Sequence, residues 1–309
     1  MAPNRDIDRE LRALHQQVVE RYARQIDRSR RDEGMAEVEQ ANERAAATVR
    51  SIGTDMDLVA RLEQDGEQAL ERFLAEVRPG LIDRPSLHSQ DAKIRILHHS
   101  FARSSHLVVP AYASTLLAPD RTEIENNQGE QGGQSNWWIM PYDPSECKIS
   151  RSTSGSGWGC GAYGMTPPAT CVMWYTFVPD RSGLWTVNVF TELHGFVVLR
   201  ADDNWYNCKS ASVGTEMTLD VEQYYDWHGQ QHTALLNEGD DNISTYHLFE
   251  RYLWSQYMTP LSAGDQVWAA ATVTIEADAR GSGSYAEVNF AVGTANYIKP
   301  IALIPVFEG

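Results

Sequence analysis

The chain has 309 residues, a net charge of -16 at pH 7 and four cysteines. A chain of this length buries roughly three quarters of its unfolded surface, so neither a metal nor a disulfide is required for stability. Its acidic surface repels phosphate backbones, which argues against nucleic acid as a partner. No apolar stretch is long enough for a signal peptide or a membrane span. We therefore expect the chain to be made in the cytosol and to have no membrane partner. Its final location stays open, and both release and assembly into a particle or appendage are compatible with the sequence.

Residues 1–80 are predicted to form an amphipathic helical segment. Apolar residues recur at helical spacing over residues 7–26, and a thinner stripe continues over residues 35–52. A further helix is predicted from residue 54 or 55 to Val77, closed by the turn residues 78–80. Because these stripes are narrow, the helices must pack on each other, on the rest of the chain, or on other copies as a short coiled coil. We predict an oligomerisation or docking role for this segment.

Residues 81–135 form a predicted connecting segment that ends in a polar loop. Residues 123–135 are rich in Gly, Gln and Asn and carry almost no apolar side chain, which is typical of a mobile loop. The composition changes in residues 136–309, where all nine tryptophans lie.

The third segment, residues 136–309, is predicted to be an antiparallel β-sandwich. Short runs of strand-forming residues alternate there with turn clusters. The predicted strand regions are residues 171–178, 184–193, 196–200, 216–225, 246–254, 267–290 and 297–307. About eight strands without intervening helices favour a jelly-roll-like sandwich over a parallel sheet. The fold class predicted for the whole chain is therefore α+β, with helices at the N-terminus.

The clearest strand signal lies within residues 267–290. Alternate residues from Val267 to Ile275 are apolar, and the pattern resumes from Ala286 to Phe290 after a glycine-rich turn. We predict a β-hairpin in the core of the sandwich. Residues 260–268 resemble the turn into a strand found in many jelly rolls, including the complement-C1q and tumour-necrosis-factor type. This resemblance implies the fold and assigns no family.

The four cysteines, Cys147, Cys160, Cys171 and Cys208, show no Cys-x-x-Cys spacing and so do not indicate a metal knuckle. They are either buried free thiols or members of one or two disulfides. Disulfides would place the folded protein in an oxidising environment.

Metal and catalytic signals are weak. One histidine cluster contains His88, His98, His99 and His106, and a second cluster, within residues 226–232, contains His228 and His232. These histidines are metal or catalytic ligands in one interpretation and surface residues in the other. Residues 237–242 carry oxygen ligands suited to calcium, or form a solvated acidic turn. Because the sequence has neither a Gly-x-Ser-x-Gly elbow nor a cysteine beside a histidine, we predict no enzyme and no cofactor, with calcium as the alternative.

Aromatic residues in or beside loops rich in Gly, Ser and Asn give the predicted ligand site. Exposed rings stack on sugar faces or anchor protein interfaces, whereas buried rings would only fill the core. The predicted site residues are Trp137, Trp138, Trp158, Trp205, Tyr206, Tyr224, Tyr225 and Trp227.

Together these patterns predict a non-enzymatic, self-associating structural or adhesive protein. It would be a homo-oligomer whose sandwich presents aromatic loops to a glycan or a protein surface. One alternative is a pore-forming or membrane-engaging protein that uses its amphipathic helices, although their acidic character disfavours anionic lipid. A second alternative is a metal-dependent enzyme that uses the histidine clusters.

Overall fold

The computed structural model describes residues 56–84, 117–125, 147–155, 163–165, 168–203, 209–224 and 226–309. All of them belong to one compact unit, residues 55–309. The elements are α1 (Met56–Ile82), β1 (Arg121–Glu125), β2 (Ser150–Ser154), β3 (Tyr163–Met165), β4 (Ala169–Phe177), β5 (Gly183–Asp202), β6 (Ser210–Gln223), β7 (Asp226–Asp240), β8 (Asn242–Leu261), β9 (Val267–Arg280), β10 (Tyr285–Asn289) and β11 (Tyr297–Phe307). The predicted helices over residues 7–26 and 35–52 lie outside the described residues.

The strands form two antiparallel sheets, which confirms the predicted α+β fold with an antiparallel β-sandwich. The first, called the β9 sheet, has the order β1-β4-β9-β6-β7, with β3 also paired to β9. The second, called the β5 sheet, has β11 and β10 along one edge of β5, β2 beyond β10, and β8 along the other edge of β5. Within the described strands, β8 therefore ends the β5 sheet on one side.

The hydrophobic core lies between the two sheets. Alternate residues of β9, including Val273 and Ile275, and alternate residues of β5, including Val197, are fully buried there. Cys147 and Cys171 are joined by a disulfide within this core. The free-thiol interpretation is therefore wrong for these two cysteines, and Cys160 and Cys208 lie outside the described residues.

The predicted hairpin over residues 267–290 is wrong in its pairing, although both strands exist. β9 pairs with β4 and β6 in one sheet, whereas β10 pairs with β2 and β5 in the other. The turn at residues 281–284 thus crosses between the sheets, with Gly281 and Gly283 at φ 76° and 85°. Alternation could not separate the two arrangements, because strands that face each other across a core bury alternate residues just as hairpin partners do.

Helix α1 packs on the outer face of the β5 sheet. Its Leu70, Val77 and Leu81 are buried with Phe196, Val198 and Tyr285 of the sheet. A Cβ added to Gly283 would lie 2.8 Å from the backbone of Gly66, so the two glycines allow the helix to approach the turn.

The predicted helix end at residues 78–80 is wrong: α1 continues through Pro79 to Ile82. The burial of Leu81 and the hydrogen bond from the Asp83 amide to the Pro79 carbonyl (2.9 Å) favour this extra turn. Among the described helical residues, no stretch is long and apolar enough to cross a membrane.

Several strand bounds differ from the prediction. The runs at 184–193 and 196–200 form the single strand β5, because Gly195 continues the pairing with β8. β7 was not predicted, since its sequence is mostly polar. β1 was not predicted either, and it includes residues 123–125 of the predicted polar loop. β8 is twenty residues long, about twice the predicted run at 246–254.

Candidate binding surface on strand β8

The structure describes only a small part of the predicted aromatic site. Trp137, Trp138, Trp158, Trp205, Tyr206 and Tyr225 lie outside the described residues. Trp227 lies in β7 opposite Glu222, but its side chain is not described. Tyr224 is exposed in the turn after β6 and donates a hydrogen bond to the carboxylate of Asp265, which raises the pKa of Tyr224. Because most of the predicted residues lie outside the described part of the chain, the loop site stays a prediction.

A different aromatic surface runs along β8. The even-numbered side chains of β8 point to the outer face of the β5 sheet, and all of those from Tyr246 to Met258 are exposed. We call these seven residues the β8 row; they are Tyr246, Leu248, Glu250, Tyr252, Trp254, Gln256 and Met258. The exposed fractions of its five large apolar members are 53% for Tyr246, 49% for Leu248, 46% for Tyr252, 36% for Trp254 and 53% for Met258.

The β8 row is large for an exposed apolar surface. With about 200 Å² for each large side chain, its five apolar members leave on the order of 450 Å² in contact with water. The largest apolar patch on a typical monomeric protein is roughly 300–600 Å², and such patches often bind partners. The row thus has the size of a functional patch, on a regular strand rather than on a loop.

The ring of Trp254 is held in place by neighbouring side chains on the same face of the β5 sheet. It stacks on Phe190 of β5 with an interplanar angle of 4° and a centroid distance of 6.3 Å. Its indole Nε1 donates to Oδ1 of Asn188 (2.9 Å), and Nδ2 of Asn188 donates in turn to the Ile304 carbonyl (3.1 Å). Because both the ring and its hydrogen-bond acceptor are fixed, Trp254 presents its exposed part with little conformational entropy to lose on binding.

A charged cluster crosses the middle of the β8 row. Nη1 of Arg84 lies 2.6 Å from Oε1 of Glu250, and Nδ1 of His194 lies 3.6 Å from the same oxygen. On its other side, Nε2 of His194 lies 2.5 Å from Oε1 of Glu192, which is fully buried. Arg84 also donates to Oδ1 of Asn296 (2.9 Å). The cluster ties β8, β5 and the end of α1 together.

This cluster has little catalytic capacity. A histidine between two carboxylates can in principle move a proton, but the side chain of His194 is only 4% exposed and its ring packs against Tyr297 and Tyr252. Proton transfer requires a reacting group within hydrogen-bond reach of the histidine. The cluster is therefore better suited to hold the strands than to reach a substrate.

The metal interpretations gain no support from the residues that are described. Over that part of the chain, no three His, Cys, Asp or Glu side chains lie close enough together to hold an ion. His232 is exposed on β7 opposite Thr218, and the side chain of His228 in the same strand is not described. His88, His98, His99 and His106 lie outside the described residues. The predicted calcium loop, residues 237–242, is mostly strand: it consists of the end of β7, the turn at Asp241 and the first residue of β8. In the turn, Oδ1 of Asp240 accepts a hydrogen bond from the Asp241 amide (2.6 Å). Calcium binding there stays untested.

Sequence reasoning found the β8 strand but missed its exposed face. Apolar residues occupy both sets of positions in β8, for example Phe249 and Leu253 on the inner side and Leu248 and Trp254 on the outer side. A strand with two apolar faces in an antiparallel sheet was the signal that could have identified this surface.

Comparisons with known proteins identify no family. No protein-family model and no curated protein matches the sequence. Among solved structures, TmCBM61 in complex with beta-1,4-galactotriose matches at 10% identity, covering 48% of this chain and 70% of that chain, with a TM-score of 0.20. A carbohydrate-binding module of Cellvibrio mixtus lichenase 5A in complex with cellotriose matches at 13% identity, covering 52% of this chain and 88% of that chain, with a TM-score of 0.18. Dimeric latent PorU from Porphyromonas gingivalis matches at 12% identity, covering 56% of this chain and 14% of that chain, with a TM-score of 0.15. Superpositions this poor carry no argument about function.

Proposed function

We propose that this chain is a non-enzymatic, self-associating structural or adhesive protein that makes its contacts through the β8 row. The observation that carries the proposal is the row itself: seven consecutive outward positions on one strand are exposed, and five of them are large and apolar. Apolar surface of this extent is favourable to bury. Aromatic side chains are also the residues that most often dominate binding energy at protein interfaces.

Self-association is tested by sedimentation velocity over a range of concentrations, with the parent protein and a Leu248→Lys variant. We expect the parent to form a complex and the variant to dissociate, because a lysine in an exposed apolar strand opposes edge contacts. Gln231→Lys is the matched control, since Gln231 is exposed on β7, which ends the β9 sheet among the described strands. A parent protein that stays monomeric at all concentrations would refute the proposal.

A glycan ligand is the second candidate, and the fixed ring of Trp254 favours it. Sugar faces stack on rigid aromatic rings, and the neighbouring Asn188 and Glu250 carry polar atoms that are already oriented by the fold. Glycan-array binding of the Tyr252→Ala variant separates the two candidates when it is compared with Met258→Ala. Loss of glycan binding in Tyr252→Ala alone would indicate a sugar site, whereas no glycan binding by the parent would remove this candidate.

A further inference from the structure

The backbone of β8 determines which of its residues can pair with another strand. The Leu184 amide donates to the Gly309 carbonyl (2.9 Å), and the Glu308 amide donates to the Leu184 carbonyl (2.8 Å). Leu184 thus directs its backbone groups toward the β11 side of β5. Successive residues of a strand direct their N–H and C=O groups to opposite sides, so the odd-numbered residues of β5 bond to β8.

The pairing of β5 with β8 joins odd to odd and even to even residues without a register shift. The even-numbered residues of β8 therefore direct their N–H and C=O groups away from β5, toward the edge of the sheet. These are the positions whose side chains form the β8 row. No other described strand pairs with this edge, so β8 offers both backbone hydrogen-bonding groups and an apolar row, the combination that edge strands use to pair with another chain.

The β8 row, extended by Pro260, is symmetric in residue type about Leu253. Moving outward from Leu253, both directions meet an aromatic residue, then a polar one, then an aliphatic one, and then an aromatic residue on one side and a proline on the other. The matched pairs are Tyr252 with Trp254, Glu250 with Gln256, Leu248 with Met258, and Tyr246 with Pro260. An antiparallel pair of identical strands with its two-fold axis at Leu253 places each of these residues opposite its match.

We propose that β8 pairs with β8 of a second copy, antiparallel and with the two-fold axis at Leu253, so that the two β5 sheets become one continuous sheet. This inference rests on the self-association proposed above and names its partner and its register. In this arrangement the matched residues form hydrogen-bonded pairs, each of which exchanges two backbone hydrogen bonds except where Pro260 lacks the N–H. The contact is isologous and closed, as in most soluble homodimers.

Other registers are less favourable. A two-fold axis at Arg251 places the guanidinium groups of two copies opposite each other, and an axis at Glu250 does the same for two carboxylates. Like charges directly opposite each other destabilise a strand pair. An axis at Tyr252 sets Leu248 opposite Gln256, and Glu250 opposite Trp254. Only the axis at Leu253 matches every apolar residue with an apolar one.

The β8 rows of the two copies become neighbours on one face of the joined sheet. Their apolar members expose on the order of 900 Å² together before pairing. Strand pairing covers the sides of these side chains that face the partner strand, whereas their outer tips stay in contact with water. The apolar contact between the rows therefore adds to the backbone hydrogen bonds of the strand pair.

Disulfide trapping of the full-length chain tests the register. The Leu248→Cys/Met258→Cys double variant places two thiols opposite each other across the proposed axis, with Cα atoms about 5.5 Å apart, within the roughly 4.4–6.8 Å range of disulfides. Within one chain the two positions are ten residues apart along a strand, about 33 Å, so they cannot bond to each other. Under mild oxidation we expect a covalent dimer, with peptides containing residues 248 and 258 linked in mass spectrometry.

The Leu248→Cys/Gln256→Cys variant is the matched control, because it would link only in the register centred on Tyr252. The parent protein oxidised in parallel reports any linkage by its native cysteines. Equal or faster linkage of the control variant would overturn the proposed register. An assembly seen by sedimentation that gives no linkage between residues 248 and 258 would overturn this inference while leaving the proposed function standing. A monomeric parent protein would overturn both.

Discussion

Arg78 of α1 forms an ion pair with Glu287, whose carboxylate is buried on the outer face of the β5 sheet. Nη2 of Arg78 lies 3.1 Å from Oε1 of Glu287, whose side chain is 1% exposed. Glu287 also accepts hydrogen bonds from the Tyr285 hydroxyl (2.8 Å) and from Nδ2 of Asn289 (2.9 Å). A buried carboxylate needs this set of partners, so the ion pair fixes the position of α1 on the sheet.

We predict that Arg78→Ala lowers the free energy of unfolding by about 2 kcal/mol, measured by urea denaturation. Breaking a buried ion pair costs about 3–5 kcal/mol, and the value is discounted here because the Arg78 side chain is 37% exposed. The effect of Arg78→Ala should shrink in a Glu287→Gln background, because the amide leaves no buried charge to compensate. Arg72→Ala, on the exposed side of α1, is the control and should change little. The same loss in both backgrounds would show that the ion pair does not carry the effect.

The second prediction concerns the centre of β9. Val273 is fully buried between the sheets, so Val273→Asp would place a carboxylate in the core without a partner. We expect a loss of about 4 kcal/mol or more, seen as a large drop in melting temperature or as insoluble protein. Gln231→Asp adds the same group at an exposed strand position and should leave the melting temperature nearly unchanged. A cooperatively folding Val273→Asp protein with the parent melting temperature would contradict the assignment of Val273 to the core.

The β-sandwich was predictable from sequence because its strands bury alternate residues on one face. Val267 to Ile275 show this pattern clearly, and the structure places them in the core as expected. The partner of β9 was not predictable, since the period of two fixes which face is buried but not which strand lies alongside. β7 was missed for a related reason: it ends the β9 sheet among the described strands, and its polar residues such as Gln230 and Gln231 carry no periodic signal.

The candidate surface was only partly predictable. Aromatic residues in loops were the predicted site, whereas the exposed aromatics that the structure describes are mostly on β8. The sequence cannot distinguish Trp254, which is partly exposed, from Trp174, which is buried within β4, because both lie in strands with apolar neighbours. The difference arises from position in the sheet: β8 is at the edge of the described strands, whereas β4 lies between β1 and β9.

The third prediction concerns the disulfide between Cys147 and Cys171, which are 24 residues apart. A cross-link that closes a loop of this length stabilises a fold by about 3 kcal/mol, mainly through the entropy of the unfolded chain. We expect the Cys147→Ala/Cys171→Ala variant to lose about that much in urea denaturation. Reductant should destabilise the parent by a similar amount and this variant much less. If thiol titration shows that the parent is fully reduced and its unfolding curve does not move, the disulfide does not contribute to stability.

The last prediction uses the buried hydroxyl of Tyr175, for which no hydrogen-bond partner is found within the described part of the chain. Burial raises the pKa of Tyr175 above its ordinary value of about 10. Because the pKa is raised in the folded state, the free energy of unfolding does not depend on this hydroxyl below pH 10. At higher pH the free energy of unfolding falls, since the tyrosine ionises in the unfolded chain but not in the folded one. The phenylalanine of the Tyr175→Phe variant cannot ionise, so the stability of this variant relative to the parent should rise by about 1.4 kcal/mol for each pH unit above 10.

At pH 7 the stability of the Tyr175→Phe variant should equal or slightly exceed that of the parent, because the variant removes a buried polar group that lacks a partner in the described part of the chain. Tyr285→Phe, by contrast, loses the hydrogen bond to Glu287 and should be less stable than the parent at pH 7. Urea denaturation from pH 8 to pH 11 measures both variants, and a constant difference between Tyr175→Phe and the parent over that range would place the Tyr175 hydroxyl in contact with water.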